Sequence, residues 1–389
     1  MCTNASLWRH ITRAPRTLKR MYLRMLAAVV AIAVCAMTAA TPLATAAEAP
    51  GTVTEARPLP PETWIPGAAS GVAVTYRTLG PQNRPATSTG ALFTPPGTPP
   101  PGGWPVVSWA HGAVGISDTC APTVTGKIGG PYLGRWLAQG YAIVATDYVG
   151  LGTDGVHPYL DGRSEAHSVV DMVRAGVATE PTLSRKWVTL GQSQGGQAAM
   201  VTATIATSYA PELDYRGTVA LGVPSNIENL AVLGGPGFPQ LPLTGTTTFI
   251  AYALAGLRAA RPDVGVDAYL SARGREVLTL AEELCYEEAN AAIGATSIGD
   301  LFARRLDAPI LAALREMLAI PVRAYNRPLF LGQGLFDTVV PSPLTFKLAA
   351  DLALAGQRFT FRVYPTGHLE TMLQSEDEAH TFVRRAFAS

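Results

Sequence analysis

One serine in this chain has the surroundings of an enzymatic nucleophile. Ser193 is the centre of the sequence Gly191-Gln192-Ser193-Gln194-Gly195, which a short apolar run precedes and a run of small residues follows. A strand, a sharp glycine turn and a helix in that order are typical of a nucleophile elbow, which exposes a serine hydroxyl at the end of a sheet. The motif therefore predicts a nucleophile at Ser193. The structural alternative is a glycine-rich turn that holds a hydrogen-bonded serine.

A serine hydroxyl needs a general base in order to react at neutral pH. In the elbow arrangement the acid and then the histidine follow the nucleophile along the chain, and only His368 and His380 come after Ser193. His368 follows the last predicted strand, whereas His380 lies within a predicted helix, so His368 is the predicted base. Asp337 follows a strand that begins at Leu329. We predict that Asp337 orients His368, with a loop-capping aspartate as the alternative.

Catalysis by such a serine also needs two N–H groups that stabilise the negative charge on the attacked carbonyl oxygen. The residue after the nucleophile, Gln194, is expected to supply one of them from its backbone. The other is expected from the loop after an earlier buried strand, which here is 109–113 (WAHGA). By analogy with other elbows, Ala113 is the predicted second donor. His111 is predicted to stabilise the turn.

The sequence gives no indication of a metal or nucleotide site. His157 and His167 have no partner at a metal-ligand spacing, and the chain contains neither HExxH nor CxxC. It has no glycine-rich phosphate-binding motif after a predicted strand. We therefore expect no metal and no cofactor. Asp147 ends a predicted strand but precedes Ser193 in the chain, so we predict a structural role for it.

The segments that must position these residues alternate between short apolar strands and helices, which predicts a mainly parallel sheet covered on both faces. The predicted strands are 106–110, 141–146, 187–190 and 219–223, and the predicted helices are 131–139, 164–179 and 197–209. Upstream, alternating apolar and polar residues predict antiparallel strands at 72–80 and 87–94. Residues 48–70 are rich in proline and alanine and are predicted to form an extended arm.

The alternation breaks between residues 225 and 318, where helix-like segments occur around 246–260, 267–291 and 307–318. We interpret 225–318 as a mostly helical insertion, a cap, within a core made of 48–224 and 319–389. The sheet is predicted to resume at 329–332 and to end with a strand at 359–364, with helices near 343–355 and 375–387.

Composition excludes several classes of protein. The 389 residues are 48% hydrophobic and 15% charged, which is too apolar for a disordered chain. The formal charge of +1 argues against a nucleic-acid surface.

The N-terminal residues have the layout of a secretory signal peptide. Residues 1–47 carry six basic and no acidic side chains, followed by an apolar run at 26–37 and small residues up to Ala47. This order is typical of a signal peptide, with a signal anchor as the alternative. Its removal leaves 24 basic and 29 acidic side chains, a formal charge of −5.

The cysteines agree with export. Cys2 and Cys35 lie in the predicted signal peptide, and Cys120 and Cys285 remain after it. Two cysteines in an exported chain predict one disulfide, with two buried free thiols as the alternative.

Five stretches of the chain carry a resemblance to a known family: 108–122 (SWAHGAVGISDTCAP), 145–171 (ATDYVGLGTDGVHPYLDGRSEAHSVVD), 190–196 (LGQSQGG), 333–341 (QGLFDTVVP) and 364–368 (YPTGH). In sequence and order they resemble the secretory lipase family of the α/β-hydrolase superfamily. The resemblance implies an α/β-hydrolase fold with a helical cap, a catalytic triad of Ser193, Asp337 and His368, and a disulfide between Cys120 and Cys285.

Because this family cleaves carboxylic esters, the resemblance implies a secreted lipase or carboxylesterase, with acylglycerols as the expected substrates. The expected partners are a lipid or other ester substrate and, transiently, a lipid interface, with no nucleic acid and no obligate protein partner. An acyltransferase or a serine peptidase could use the same triad, and the sequence leaves both open. The apolar stretches within 230–257 are expected either to line the acyl site or to pack the cap.

Overall fold

The structure, a computed structural model, describes residues 48–389. The predicted signal peptide, residues 1–47, lies outside the described residues. Within 48–389, nine strands form one sheet. In chain order they are β1 (Val53–Pro58), β2 (Ser70–Leu79), β3 (Pro85–Thr94), β4 (Trp104–Ala110), β5 (Ala142–Thr146), β6 (Leu183–Gln192), β7 (Asp214–Leu221), β8 (Leu329–Gly334) and β9 (Thr360–Tyr364).

The sheet is mixed, and the larger part of it is parallel. The strand order is β1-β2-β3-β5-β4-β6-β7-β8-β9. Strands β1, β2 and β3 pair antiparallel, and β3 is also antiparallel to β5. From β5 to β9 in this order, all pairs are parallel. The predicted mainly parallel sheet with antiparallel strands upstream is therefore confirmed.

Residues 48–389 contain eleven α-helices, some of which cover the two faces of the sheet. In chain order they are α1 (Pro122–Thr125), α2 (Gly130–Ala138), α3 (Gly162–Thr179), α4 (Gln194–Tyr209), α5 (Thr246–Ala260), α6 (Ala272–Glu283), α7 (Tyr286–Ile293), α8 (Ala308–Leu318), α9 (Ser342–Leu354), α10 (Glu370–Gln374) and α11 (Glu376–Ala388). Helices α3 and α4 pack on one face, and α2 and α11 pack on the other. None of these helices combines the length and the apolar character that a bilayer crossing requires.

Burial on both faces explains why the central strands are continuous apolar runs. In β4, Val106 packs beneath α3 and α4, whereas its neighbour Val107 packs on the opposite face. In β5, Val144 and Ile143 divide between the two faces in the same way. Successive side chains of a strand point to opposite faces, so apolar residues predominate at all positions of such a strand.

The chain between β7 and β8 forms α5 to α8 and has a hydrophobic core of its own. Tyr252 of α5 and Leu278 of α6 lie in this core. Tyr159 and Leu160 also pack in it, although they belong to the sheet domain, as we call residues 48–224 and 319–389. We call residues 225–318 the cap. Its apolar core is thus continuous with side chains that follow β5.

Two predictions about elements were wrong. The segment 53–58, predicted as part of an extended arm, is the edge strand β1, which its backbone pairing with β2 defines while most of its side chains are exposed. The helix predicted at 267–291 is two helices, α6 and α7. The break between α6 and α7 includes Cys285, whose backbone pairs with Gly115.

Cys285 connects the cap to the loop that follows β4. It forms a disulfide with Cys120, and the two Cα atoms lie 5.4 Å apart. Next to it, the Tyr286 N–H donates a hydrogen bond to the Val114 carbonyl at 2.9 Å. The disulfide closes a loop with a sequence separation of 165 residues. The cap is therefore tied covalently to the loop that carries His111.

We expect the Cys120→Ser/Cys285→Ser double variant to lose about 4–5 kcal/mol of unfolding free energy, because cross-linking a loop of this length restricts the unfolded chain. Denaturant unfolding of the variant and of the oxidised protein measures the difference. Wild-type protein unfolded in reductant serves as the control and should match the variant. A difference below about 1 kcal/mol would contradict this account.

A buried carboxylate holds the same loop from the core side. Asp147, at the end of β5, accepts hydrogen bonds from the Thr89 hydroxyl at 2.7 Å and from the Thr123 N–H at 3.1 Å. The Thr123 hydroxyl also donates to it. Burial raises the pKa of Asp147 to about 6, although these hydrogen bonds act in the opposite direction. Asp147 thus joins β3, β5 and α1, which is the kind of structural role that the sequence predicted for it.

Because the folded-state pKa of Asp147 lies above its unfolded value, its contribution to stability is largest at low pH and is lost as the pH rises through about 6. We expect wild-type protein to gain about 1 kcal/mol relative to Asp147→Asn when the pH falls from 7 to 5. Unfolding free energies of both proteins at both pH values measure this change, and the other titrating groups cancel in the comparison. A pH-independent difference would mean that Asp147 keeps an ordinary pKa.

Candidate active site

Ser193 occupies a strained turn between β6 and α4. Its φ is +57° and its ψ is −124°, a conformation that non-glycine residues rarely adopt and that the surrounding structure must hold in place. The Ser193 N–H donates to the Leu221 carbonyl at 2.8 Å, and the Ser193 carbonyl accepts from the Gly196 N–H at 2.8 Å. The side chain remains partly exposed. This is the conformation that the elbow motif predicts.

Two glycines make this turn possible. A Cβ atom on Gly191 would lie 2.0 Å from the Gly195 carbonyl oxygen, and a Cβ atom on Gly195 would lie 1.8 Å from the Ala110 carbonyl oxygen. Neither distance is compatible with a side chain. The glycines therefore allow β6 and α4 to approach each other and the end of β4, which brings the loop after Ala110 beside the serine.

The structure brings His368 and Asp337 together. His368 Nδ1 lies 2.6 Å from Asp337 Oδ2. The other carboxylate oxygen of Asp337, Oδ1, accepts hydrogen bonds at 2.8 Å from the N–H groups of Val339 and Val340. The Gln333 side chain also donates to Oδ2, at 3.2 Å. The loop after β8 thus fixes the carboxylate, and the carboxylate fixes the imidazole through an Nδ1–H bond.

The imidazole lies beside the elbow. Gly222 follows Leu221, whose carbonyl binds the Ser193 N–H, and a Cβ atom on Gly222 would lie 3.1 Å from His368 Cε1. Within residues 48–389, the Ser193 hydroxyl makes no direct hydrogen bond to His368; such contacts commonly tighten only when substrate binds. His380 is in a different environment, buried against Trp136 with ring centroids 4.0 Å apart.

The loop after β4 lies against the serine. A Cβ atom on Gly112 would lie 3.4 Å from Ser193 Cβ, and the half-buried Ala113 follows directly. His111 Nδ1 lies 2.7 Å from the Gly112 carbonyl, and Nε2 lies 3.3 Å from the Asp147 carbonyl. Burial lowers the pKa of His111 to about 4, so the ring is neutral at pH 7. A neutral ring has one N–H and donates to only one of these two carbonyls, so His111 packs as a neutral ring between the loops after β4 and β5.

At this site Gln194 offers its backbone N–H, as the sequence predicted, and also a buried side chain, whose contacts the sequence did not predict. As the first residue of α4, it has one of the N–H groups that lack a partner within the helix. Its side chain is buried and contacts His157 and Glu165. These two contacts were missed because neither residue is near Gln194 in the chain and neither has a motif that points to it.

Ser193 opens into a cavity of about 450 Å³ between the sheet domain and the cap. The volume is within the range of small-molecule pockets. The lining is almost entirely apolar, with hydroxyl groups only from Ser193, Tyr159 and Thr246 among the described residues. Cap side chains in the lining include Leu230, Leu233, Phe238, Phe249, Ile250, Ala253, Leu254 and Phe302.

The apolar stretches of the cap divide between the lining of this cavity and the core of the cap. Ala253 and Leu254 of α5 line the cavity, whereas Ala255 and Leu257 of the same helix pack in the cap core without lining it. Within residues 48–389, no group of three or more His, Cys, Asp or Glu side chains is arranged to hold a metal ion.

Several known proteins are similar to this chain in sequence. A family model described as "Secretory lipase" matches residues 119–389. The chain is 25% identical to Lipase A of Moesziomyces aphidis over 370 residues, which cover 87% of this chain and 77% of that protein. It is 25% identical over 270 residues to the Secreted triacylglycerol lipase LIP1 of Malassezia furfur, covering 65% of this chain and 53% of that protein. A Mycobacterium tuberculosis relative named as a probable inactive lipase is 25% identical over 300 residues, which are 72% of this chain and 61% of its own length.

Among solved structures, Candida antarctica lipase A in its closed state superposes with a TM-score of 0.73 at 22% identity, covering 87% of this chain and 83% of that chain. This similarity shows a shared fold, and the predicted α/β-hydrolase fold is confirmed. The family match extends over more than half of the chain. The chain therefore belongs to the secretory lipase family of α/β-hydrolases and is a carboxylic ester hydrolase.

Proposed function

We propose that this hydrolase cleaves its esters through a triad of Ser193, His368 and Asp337 and a covalent acyl-enzyme. The observation that carries the proposal is the strained Ser193 turn, which opens into the apolar cavity beside the bonded pair of His368 and Asp337. Strained backbone conformations cluster at functional sites, where the surrounding structure holds them in place. The strain at Ser193 therefore supports a catalytic role for this serine.

In the first half of the reaction, Ser193 Oγ attacks the ester carbonyl carbon while His368 Nε2 takes the hydroxyl proton. Asp337 holds the Nδ1–H and stabilises the imidazolium that forms. The negative charge that develops on the carbonyl oxygen is stabilised by N–H groups, for which we propose Gln194 and Ala113. The ester C–O bond then breaks, and His368 returns the proton to the leaving alcohol.

In the second half, a water molecule attacks the carbonyl carbon of the Ser193 ester, and His368 Nε2 takes a proton from this water. The same N–H groups stabilise the second tetrahedral intermediate. When it collapses, Ser193 Oγ leaves and recovers the proton from His368. The carboxylic acid is released and the free enzyme is restored.

We propose an apolar acyl chain as the group that the cavity binds, because the cap side chains offer burial for methylene groups, each worth about 0.8 kcal/mol. The natural partner is then a lipid or another ester of a long acyl chain, reached by transient contact with a lipid interface. Large exposed apolar side chains support this contact: Val232 in the cap, Phe336 next to Asp337, and Leu369 next to His368 are 57%, 64% and 64% exposed. The proposal includes no nucleic acid and no obligate protein partner.

We further propose that residues 1–47 direct export and are removed as a signal peptide. Support comes from the family, whose description as secretory is consistent with an extracellular location, and from the disulfide between Cys120 and Cys285.

We expect Ser193→Ala to lower the hydrolysis of p-nitrophenyl esters by at least about 1,000-fold, because it removes the nucleophile while leaving the fold intact. The esters should range from acetyl to palmitoyl, so that one series measures both activity and chain preference. Ser208→Ala, on the exposed side of the same helix α4, is the matched control and should retain full activity. Comparable activity in the Ser193 variant would exclude this serine as the nucleophile.

We expect Ala253→Phe to reduce the hydrolysis of p-nitrophenyl palmitate at least about 10-fold more than that of the acetate, because the added ring occupies part of the cavity. Ala259→Phe adds the same ring at an exposed position of α5 and should change neither rate. Equal losses on both esters in the Ala253 variant would argue against the cavity as the acyl site.

A further inference from the structure

The side chain after the nucleophile lies in a buried polar cluster that the triad does not use. Gln194 is 1% exposed, and its Nε2 lies 2.7 Å from His157 Nε2 and 2.8 Å from Glu165 Oε1. Both partners are themselves completely buried. Gln194 is therefore held at two points, 37 and 29 residues away from it in the chain.

The hydrogen bonds of this cluster are consistent with one arrangement of donors. His157 Nδ1 lies 2.8 Å from the Val149 carbonyl, which can only accept, so Nδ1 carries the proton. His157 Nε2 is then an acceptor, and it receives one N–H of the Gln194 amide. The second N–H of that amide donates to Glu165 Oε1, which also accepts from the Leu160 N–H at 2.9 Å.

The complete burial of Glu165 lowers the stability of the fold unless its contacts compensate for the loss of hydration. Among residues 48–389 no lysine or arginine forms an ion pair with it, and its nearest ionisable partner, His157, accepts a hydrogen bond in this arrangement. A buried carboxylate without a cation costs free energy that its hydrogen bonds must offset. In return, the bonds fix the direction of the Gln194 side chain and so the first turn of α4.

His157 also connects to the loop on the other side of Ser193. Its ring stacks on Tyr148, with centroids 5.5 Å apart and planes inclined by 13°. The Tyr148 hydroxyl donates to the His111 carbonyl at 3.1 Å. His111 is two residues before Ala113. The same imidazole thus supports both segments that carry the proposed oxyanion donors.

We propose that His157 and Glu165 are positioning residues, which act through the Gln194 side chain to hold the Gln194 N–H where the negative charge of the intermediate forms. This inference rests on the proposed function, because it takes the Gln194 N–H as an oxyanion donor. Geometry is the reason for the effect: an oxyanion donor stabilises the intermediate only if it is fixed at hydrogen-bond distance before the charge appears.

The first test is Gln194→Ala, which keeps the backbone N–H but removes its support. For p-nitrophenyl butyrate we expect kcat to fall about 10- to 100-fold with KM changed less than about threefold. Gln197→Ala is the matched control. Gln197 is also buried in α4 and donates to the carbonyls of Leu160 and Leu318, but its side chain makes no hydrogen bond to the side chains of Gln194, His157 or Glu165. The control should lower the melting temperature and keep kcat within about threefold.

The second test compares two changes at Glu165. Glu165→Gln keeps an oxygen that can accept from both Gln194 and Leu160, so it should retain kcat within about threefold. Glu165→Ala removes the acceptor and should reproduce the loss seen in Gln194→Ala. In the double variant Glu165→Ala/Gln194→Ala, the loss should be no more than about twofold beyond either single variant, because Glu165 acts through Gln194.

The outcomes separate this inference from the proposed function. If wild-type protein fails to hydrolyse the esters, or if Ser193→Ala remains active, the proposed function itself is overturned. If wild-type protein is active but Gln194→Ala behaves like Gln197→Ala, or if the two losses multiply in the double variant, the cluster is structural only and the inference is overturned. Should Gln194→Ala not fold, equal kcat values for Glu165→Ala and Glu165→Gln would overturn it.

Discussion

The active site depends on two backbone contacts that leave no room for a side chain. Gly195 at the start of α4 meets the Ala110 carbonyl at the end of β4, and Gly191 at the end of β6 meets the Gly195 carbonyl. This crowding forces the chain to turn at Ser193 with a positive φ. The turn presents the serine side chain beyond the sheet. It also points the first N–H groups of a helix toward the place where a carbonyl oxygen would become charged.

The strain in that turn is offset by structure on both sides of it. The Leu221 carbonyl accepts from the Ser193 N–H, so β7 fixes the turn from the sheet. The loop after β4 is held by Asp147 on the core side and, through Cys120 and Cys285, by the cap. Because the cap also lines the cavity at Ser193, this cavity and the loop beside Ser193 belong to one connected assembly.

Within residues 48–389, the two carboxyl groups near the serine, Asp337 and Glu165, accept hydrogen bonds from N–H donors and form no ion pair with a lysine or arginine. Asp337 accepts two backbone N–H groups and a glutamine amide, and Glu165 accepts a backbone N–H and the Gln194 amide. Such donors cannot move away when charge shifts during a reaction. In a site with an apolar cavity on one side, fixed dipoles act in a low effective dielectric, where their effect on developing charge is largest.

The local parts of this protein could be predicted from its amino-acid sequence. The elbow could be predicted because strand, glycine turn, serine and helix are consecutive, and Asp337 and His368 because they follow predicted strands in the chain order that such a site requires. The mainly parallel sheet and the helical cap followed from the alternation of apolar runs and its interruption. The three-dimensional fold was needed to show that β1 is a strand, since its pairing with β2 and not its own side chains defines it. It also decided where the predicted cap helix breaks, because Cys285 is bound to a loop far away in the chain. The contacts of Gln194 with His157 and Glu165 depend on how β5, α3 and α4 pack, and residue types at separations of 29 and 37 positions give no local pattern from which such hydrogen bonds could be predicted.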